Sequence, residues 1–445
     1  MNCITIRNVS DVKYAKEHYN VYAGTGVEIV FEECESPSEL PLTMYNVADI
    51  VRRCAIKATL DIPIELCGDT TLANLFAGCD MLSEVVFTDK FDTSFIVGME
   101  CMFSNCEALK SVSFGAKFDT KSVRSMRCMF FGCRALETIR AAANFDTSCV
   151  EDMSYMFESC LSLKTIDIVQ HFDTKSCAFF SSMFAGCRSL ESIDVSHFDT
   201  SSAIDMSKMF SQCYQLKAID VTHFDTKNVK IFDSMFYMCE ALTLLDVTHF
   251  DTKNATNLYG MFAGCKCLNS IDVSHFDTSK ATNLSHMFEN CINLTSIDVS
   301  NFDTNKAYAV EGMFSRCISA KSIVFGPNFT IKYVQSISSM FMSCHHIQSI
   351  DISMFDPIEL KIMYGTFEDC VSLETINMGS IDLSHANTLC HAFRYCPKLK
   401  NVIASSEIYV DDEGMYESML FDTPNLDLSF INFTNYTGSI RNIVK

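Results

Sequence analysis

The chain has no tryptophan, and only 16 glycines and 7 prolines among its 445 residues. With 48% hydrophobic and 20% charged residues, this composition reads as globular. Long apolar runs are also missing: none approaches the ~18–20 residues a membrane helix needs. The opening MNCITIRNVSDVKYAKEHYN carries no basic stretch followed by an apolar core, so it does not read as a signal peptide. The expected location is therefore cytoplasmic, with the cell surface as the alternative if a leader is removed. Basic residues are few. Lys and Arg number 34 against 55 Asp and Glu, a formal charge of −21 with a pI near 4.9. That excess disfavours direct binding to nucleic-acid phosphates and suits a solvated surface or a basic partner. Catalytic signatures are absent too: no GxSxG, P-loop, HExxH, or GxGxxG followed by an acidic residue occurs. The expectation is a non-enzyme without cofactor or metal.

What the chain does have is phenylalanine (36), methionine (24) and cysteine (23). Cys79, Cys106, Cys133, Cys160, Cys187, Cys213, Cys239, Cys265, Cys291, Cys317, Cys344, Cys370 and Cys396 follow one another at intervals of 26 or 27 residues. Each stands three residues after a Phe, usually preceded by Met, and a Leu usually follows three residues later. Thirteen copies at near-constant spacing are an internal repeat.

One unit, residues 198–223, reads FDTSSAIDMSKMFSQCYQLKAIDVTH. Its Ile219 and Val221 alternate as in a short strand. Ala203, Met206, Met209, Phe210 and Cys213 recur at steps of three and four, the spacing of one face of a short helix. Asp199 and Thr200 are placed to cap that helix. The expected coil is strand, turn and short helix, stacked on its neighbours as an α/β repeat solenoid.

The stretch MFSQCYQLKAIDVTHFDTKNV, residues 209–229, resembles the BspA-like leucine-rich repeats of bacterial surface proteins, whose pattern is MFxxCxxLxxIDVSxFDTSxVTxM. The resemblance covers roughly residues 70–405. It implies a solenoid used in adhesion or protein binding.

Three parts are expected: an α/β N-terminal cap over residues 1–70, the repeats over 71–405, and a C-terminal cap with a degenerate unit over 406–445. In the first part, strands are expected at 4–6, 27–31 and 60–64, and helices at 11–18 and 45–55. Thr423 lies 27 residues after Cys396 and marks a fourteenth, degenerate unit. Units of 27 residues place their extra residue between strand and FDT, since residues 163–172 make a longer connection than 190–198. At ~4.8 Å per coil the array would extend on the order of 60 Å.

Identical positions form ladders. The motif cysteines lie on the apolar stripe and read as buried thiols acting as small hydrophobes, a reading that suits a reducing compartment. Asp167, Asp194, Asp220, Asp246, Asp272 and Asp298, the middle residue of I-D-V, should face solvent and repel one another unless something offsets their charge. His171, His197, His223, His249 and His275 precede successive FDT triplets and read as turn residues stacked on their copies, with metal binding as the rival reading. Lys110, Glu137, Lys164, Glu191 and Lys217 alternate in sign and would pair between coils. The pattern breaks at Arg140 and Ala141, Tyr308, Arg316, Phe325, Tyr333 and His345–His346. Tyr and Arg are common binding anchors.

The function expected is a protein-binding scaffold whose unidentified partner sits on the acidic strand face. The Asp ladder, Arg140, Tyr308, Arg316 and Tyr333 are the candidate contacts. The alternatives are an acidic decoy, such as a virus would encode, that occupies a basic or nucleic-acid-binding protein, and a surface adhesin.

Overall fold

A computed structural model describes residues 2–7, 9–17, 27–32, 44–62, 70–140, 145–383, 386–404, 408–409, 418–429 and 431–432. The chain divides into two compact units, Met1–Phe224 and Asp225–Lys445.

The first unit opens with β1 (Asn2–Ile6), α1 (Val9–Glu17), β2 (Val27–Glu32), α2 (Met44–Cys54) and β3 (Ala55–Asp61). The three strands are parallel and continue without interruption into β4 (Glu84–Phe87), β5 (Ser111–Ser113) and β6 (Thr138–Arg140) of the first repeats, one six-stranded sheet in chain order. The alternation of β2, buried at Val27, Ile29 and Phe31, seats it on the same core as the repeats.

Among the described residues, α1 and α2 are the only α-helices, so the helix expected in each coil does not form. A ribbon of overlapping turns takes its place. In one coil the amides of Phe180, Ser182, Phe184 and Gly186 donate to Asp205, Ser207, Met209 and Ser211 carbonyls of the next coil at 2.7–2.9 Å. The amides between them, Met183, Ala185 and Cys187, donate back three residues within their own coil. The second unit repeats this arrangement from Leu258, Gly260, Phe262 and Gly264 to Asn283, Ser285, Met287 and Glu289. An α-helix would spend every amide internally. The ribbon keeps some of its amides within the coil and gives others to the next coil, so hydrogen bonds hold both the turn and the stack.

The ribbon demands a left-handed residue at two places per coil, five residues and one residue before the motif Cys. Lys208 (φ 55°) and Gln212 (φ 59°) hold them in one coil, Gly260 (φ 55°) and Gly264 (φ 77°) in another. Each heads the close of a turn whose third residue has positive φ, the type II geometry. Successive turns of this kind bring every third or fourth residue to one side, which is the spacing a helix shows.

The inner side of the ribbon is a column of stacked rings. Phe76, Phe103, Phe130, Phe157, Phe184 and Phe210 follow at 5.2–5.7 Å in the first unit. Phe236, Phe262, Phe288, Phe314, Phe341, Phe367 and Phe393 follow at 5.4–6.1 Å in the second. All are fully buried. Phe325, read from the sequence as a break in the pattern, packs its ring against Phe314, Phe329, Phe341 and Phe355 and belongs to this core.

Asp199 caps no helix; its Oδ1 accepts the Ser201 amide at 2.9 Å and heads a turn. The FDT threonine has a different task from the one expected. Thr120 is buried, donates its hydroxyl to the Asp146 carbonyl at 2.7 Å and accepts the Asp146 amide at 2.8 Å. It is a staple between coils.

Strands on the I-D-V side are intermittent. Among the described residues the first unit has none there after β6. In the second unit they begin at β7 (Ser296–Val299) and β8 (Ser322–Phe325), then β9 (Ser349–Asp351), β10 (Thr375–Gly379) and β11 (Asn401–Ala404); β12 (Ile408–Tyr409) and β13 (Ile431–Asn432) form a separate pair. Coils lacking the strand are those with His before FDT. The ring of His197 bonds through Nε2 to the Val169 carbonyl at 2.8 Å, and His223 to Val195 at 2.7 Å. A side chain thus takes a carbonyl that a ladder would use. The long connection of the Leu163 coil winds into a 3-10 turn, Asp167–His171, with Ile168 and Val169 buried.

Candidate binding surfaces

The motif cysteines are part of the framework. Eleven of them point Sγ at the carbonyl of the motif Phe one coil earlier; Cys187 reaches Phe157 at 3.2 Å and Cys291 reaches Phe262 at 3.1 Å. That carbonyl also accepts the local turn amide, Cys160 to Phe157 and Cys265 to Phe262, so both its lone pairs are used. Burial pushes the thiols of Cys187, Cys291 and Cys344 up to about 12, which keeps them protonated as donors. Thr423 confirms the role by replacement: in the degenerate unit its hydroxyl donates to the Phe393 carbonyl at 2.6 Å.

Among the described residues no histidine of this ladder is found stacked on its copy. His197, His223 and His275 stand edge-on against the Phe that follows each of them, at 5.1–5.3 Å and 86–88°. Because a carbonyl only accepts, Nε2 of His197 and His223 carries the proton. Asn301 takes over with a side-chain amide bond to the Ser274 carbonyl. Among the described residues no cluster of three His, Cys, Asp or Glu side chains could hold a metal ion.

The I-D-V aspartates are exposed, and most share one geometry. In the first unit Oδ1 of Asp194 accepts the Ser196 amide at 3.0 Å, and Asp220 accepts both the amide and hydroxyl of Thr222. In the second, Asp246 accepts the Thr248 amide and hydroxyl at 3.0 and 2.6 Å, Asp272 those of Ser274 at 3.0 and 2.7 Å, and Asp298 the Ser300 amide at 2.9 Å. These bonds to hydroxyl and amide hold the carboxyls of Asp194, Asp246 and Asp272 below their ordinary value. Among the described residues no Lys or Arg forms an ion pair with Asp194, Asp246, Asp272 or Asp298. The FDT aspartates make the same kind of turn, yet several have a lysine two residues on: Asp119 pairs with Lys121 at 3.3 Å, Asp173 with Lys175 at 3.3 Å, and Asp225 with Lys227 at 2.6 Å. One acidic row is thus partly compensated by lysines, whereas in the other Asp194, Asp246, Asp272 and Asp298 have no such lysine among the described residues. Asp167 differs, since it opens the 3-10 turn.

The remaining candidates are scattered. Arg140 ends β6 with its side chain exposed. Tyr308 and Tyr333, on adjacent coils of the second unit, are brought together with ring centroids 6.1 Å apart; they are 64% and 46% exposed, and Lys332 lies 5.8 Å over the second ring. Arg316 is not brought to them: it is an exposed left-handed ribbon residue (φ 59°) whose amide donates to Met342. His345 bonds Asp369 at 2.8 Å and His346 the Ile318 carbonyl at 2.8 Å. Ala141 lies outside the described residues. Of the alternating charges, Lys217 pairs with Glu191 at 3.1 Å.

One surface gave no sequence signal. Between α2 and the first ribbon lies a groove of about 360 Å³ lined by Tyr45, Asp49, Arg52 and residues 71–75. There the helix stands where an earlier ribbon would be, and its amides are spent within itself. The carbonyls of Thr71, Ala73, Leu75 and Ala77, whose counterparts in the next coil each accept an amide, have no donor among the described residues. This row arises where helix gives way to ribbon, and the sequence did not reveal that switch.

No helix among the described residues is long and apolar enough to cross a membrane. No curated protein matches the chain. Among solved structures, it is similar to a chain of the crystal structure of the TLR13-ssRNA13 complex, at 14% identity and a TM-score of 0.23, covering 84% of this chain. It spans 57% of that protein's chain. A family model described as "Mycoplasma protein of unknown function, DUF285" matches four consecutive stretches, residues 70–167, 161–244, 238–325 and 323–406. These matches take in the whole repeat array, and the chain belongs to the DUF285 family.

Proposed function

We propose that the chain is a non-catalytic, BspA-like binding scaffold that holds a partner protein through its bare carboxylate row. One observation carries this reading: Asp246, Asp272 and Asp298 are fixed by their own turns, those turn bonds hold the carboxyls of Asp246 and Asp272 below their ordinary value, and among the described residues no Lys or Arg forms an ion pair with any of the three. Fixed charges of one sign at coil spacing suit a partner with a basic surface, and they lose little freedom on binding. The exposed Tyr308–Tyr333 pair adds an apolar anchor to the same unit.

The test is affinity purification from the native cell, followed by binding of the recovered partner to a variant carrying Asp246→Asn, Asp272→Asn and Asp298→Asn. Asn keeps the oxygen that closes each turn and removes the charge; Asn377 already fills this position in another coil, accepting the Gly379 amide at 3.2 Å. Binding should fall at least tenfold with the melting temperature unchanged. Equal binding would overturn the reading. A decoy imitating a nucleic-acid backbone would use the same row, and salt separates the two. Decoy binding, carried by charge alone, should collapse as ionic strength rises, whereas a complex that also rests on Tyr308 and Tyr333 should weaken without being lost.

A further inference from the structure

Among the cysteines outside the motif ladder, two lie at matched positions of neighbouring coils. Cys101 and Cys128 occupy the same left-handed position, five residues before the motif Cys, on consecutive coils of the first unit (φ 55° and 56°). The Cys101 amide donates to the carbonyl of Arg127 at 2.9 Å, which sets the two residues side by side. Adjacent coils joined by such bonds run about 5 Å apart, inside the ~4.4–6.8 Å Cα separation that a disulfide spans. Elsewhere in this unit Ser181 and Ser207, matched residues one position earlier in their coils, meet hydroxyl to hydroxyl at 2.8 Å. The motif thiols are buried and committed to Phe carbonyls, whereas Cys101 and Cys128 are both partly exposed. Cys101 is also among the groups that help hold the proton on Cys128.

We propose that Cys101 and Cys128 form a coil-to-coil disulfide when the chain meets a peroxide. The Cys128 thiolate, with the Arg127 guanidinium beside it, attacks one peroxide oxygen; the O–O bond breaks, hydroxide leaves and takes up a proton, and Cys128 becomes a sulfenic acid. The Cys101 sulfur then displaces water from it. Two thiols and one hydrogen peroxide become one disulfide and two waters. The bond closes a loop through one whole coil and clamps the ribbon.

The experiment treats the intact full-length chain with hydrogen peroxide, blocks remaining thiols with N-ethylmaleimide, and maps peptides without reduction. The linked Cys101–Cys128 peptide should appear, vanish on adding dithiothreitol, and be accompanied by a rise in melting temperature. Because the Cys128 thiol is pushed up to about 11, the cross-linking rate should climb about tenfold per pH unit from 7 to 9. In Cys101→Ser the linked peptide and the thermal shift should be lost, and dimedone should label Cys128. The exposed Cys149 serves as the internal control. If peroxide oxidises Cys149 while Cys101 and Cys128 remain fully alkylated, the proposal fails.

Discussion

Within each unit the ribbon side and the I-D-V side of the same coils are built on opposite terms. The ribbon repeats one hydrogen-bond pattern from coil to coil, with a ring column, a thiol column and two left-handed residues per turn. The I-D-V side keeps a β-ladder only in stretches and elsewhere accepts a histidine bond in its place. The contrast teaches where sequence variation is tolerated. A position whose backbone is tied to both neighbours fixes its side chain's size and donor capacity. A position held only by its own turn leaves the outward group open to selection for something other than stability.

Alkaline pH should expose this difference most strongly. The buried thiols have folded pKa values raised to about 12 for Cys187, Cys291 and Cys344, against an ordinary 9.0. A raised value means the folded chain holds protons that the unfolded chain releases. The contribution is therefore complete below pH 9 and is lost as pH rises from 9 toward 12, by about 1.4 kcal/mol per thiol per pH unit. Thermal melts should collapse steeply over that interval. Acid should act in the other sense and more gently: the depressed carboxyls of Asp194, Asp246 and Asp272 contribute above their ordinary 3.8, and that contribution is lost only as pH falls below it. Their exposure to solvent screens the effect. A chain that melts equally early at pH 4 and pH 10 would break the comparison.

Next in size is the ring column. Phe262 is fully buried and stacked at 6.1 Å on Phe236 and 5.8 Å on Phe288. Phe262→Ala should cost about 3–5 kcal/mol in denaturant melts. A cost near 1 kcal/mol would mean that the column repacks and is not the spine of the fold.

The sequence made the column and the period plain, and hid the ribbon. Cys and Phe recur because each occupies a spot that admits one size and one donor, so the repeat, its buried thiols and even Thr423 as a stand-in could be read directly. Helix and ribbon share the spacing of Ala203, Met206, Met209, Phe210 and Cys213, and hydrophobic periodicity alone does not separate them. The separating signal was glycine one and five residues before the motif Cys, as at Gly264 and Gly260, which an amphipathic helix has no reason to keep. It was masked because other coils place Lys208, Gln212 or Arg316 there. The aspartate row was visible as charge. Its turn-closing bonds were not, since they depend on the Ser or Thr two residues on being turned back toward the carboxylate.

Arg316 offers a smaller test. A non-glycine left-handed residue costs about 1–2 kcal/mol, and glycine gives back about 0.5–1 kcal/mol through its greater unfolded-state freedom. Arg316→Gly should therefore stabilise the second unit by about 1 kcal/mol, read as a higher denaturant midpoint. If the stabilised variant also loses the partner, the arginine is a binding contact kept at a cost to the ribbon. Unchanged affinity would assign Arg316 to drift.

The smallest expected change in stability is also the most informative. Asp272→Asn leaves the oxygen that accepts the Ser274 amide and hydroxyl, so its effect on the melt should stay within about 0.5 kcal/mol. Asp272→Ala removes that acceptor and should cost about 1 kcal/mol, because the Ser274 amide then loses its bond. The pair of variants separates the two duties of one carboxyl: Ala reads turn and charge together, whereas Asn reads charge alone. If the bare row exists for a partner, Asn should weaken binding as much as Ala does. If Asn binds like the wild type and only Ala fails, the aspartates serve the coil, and the partner must be sought at Tyr308 and Tyr333 instead.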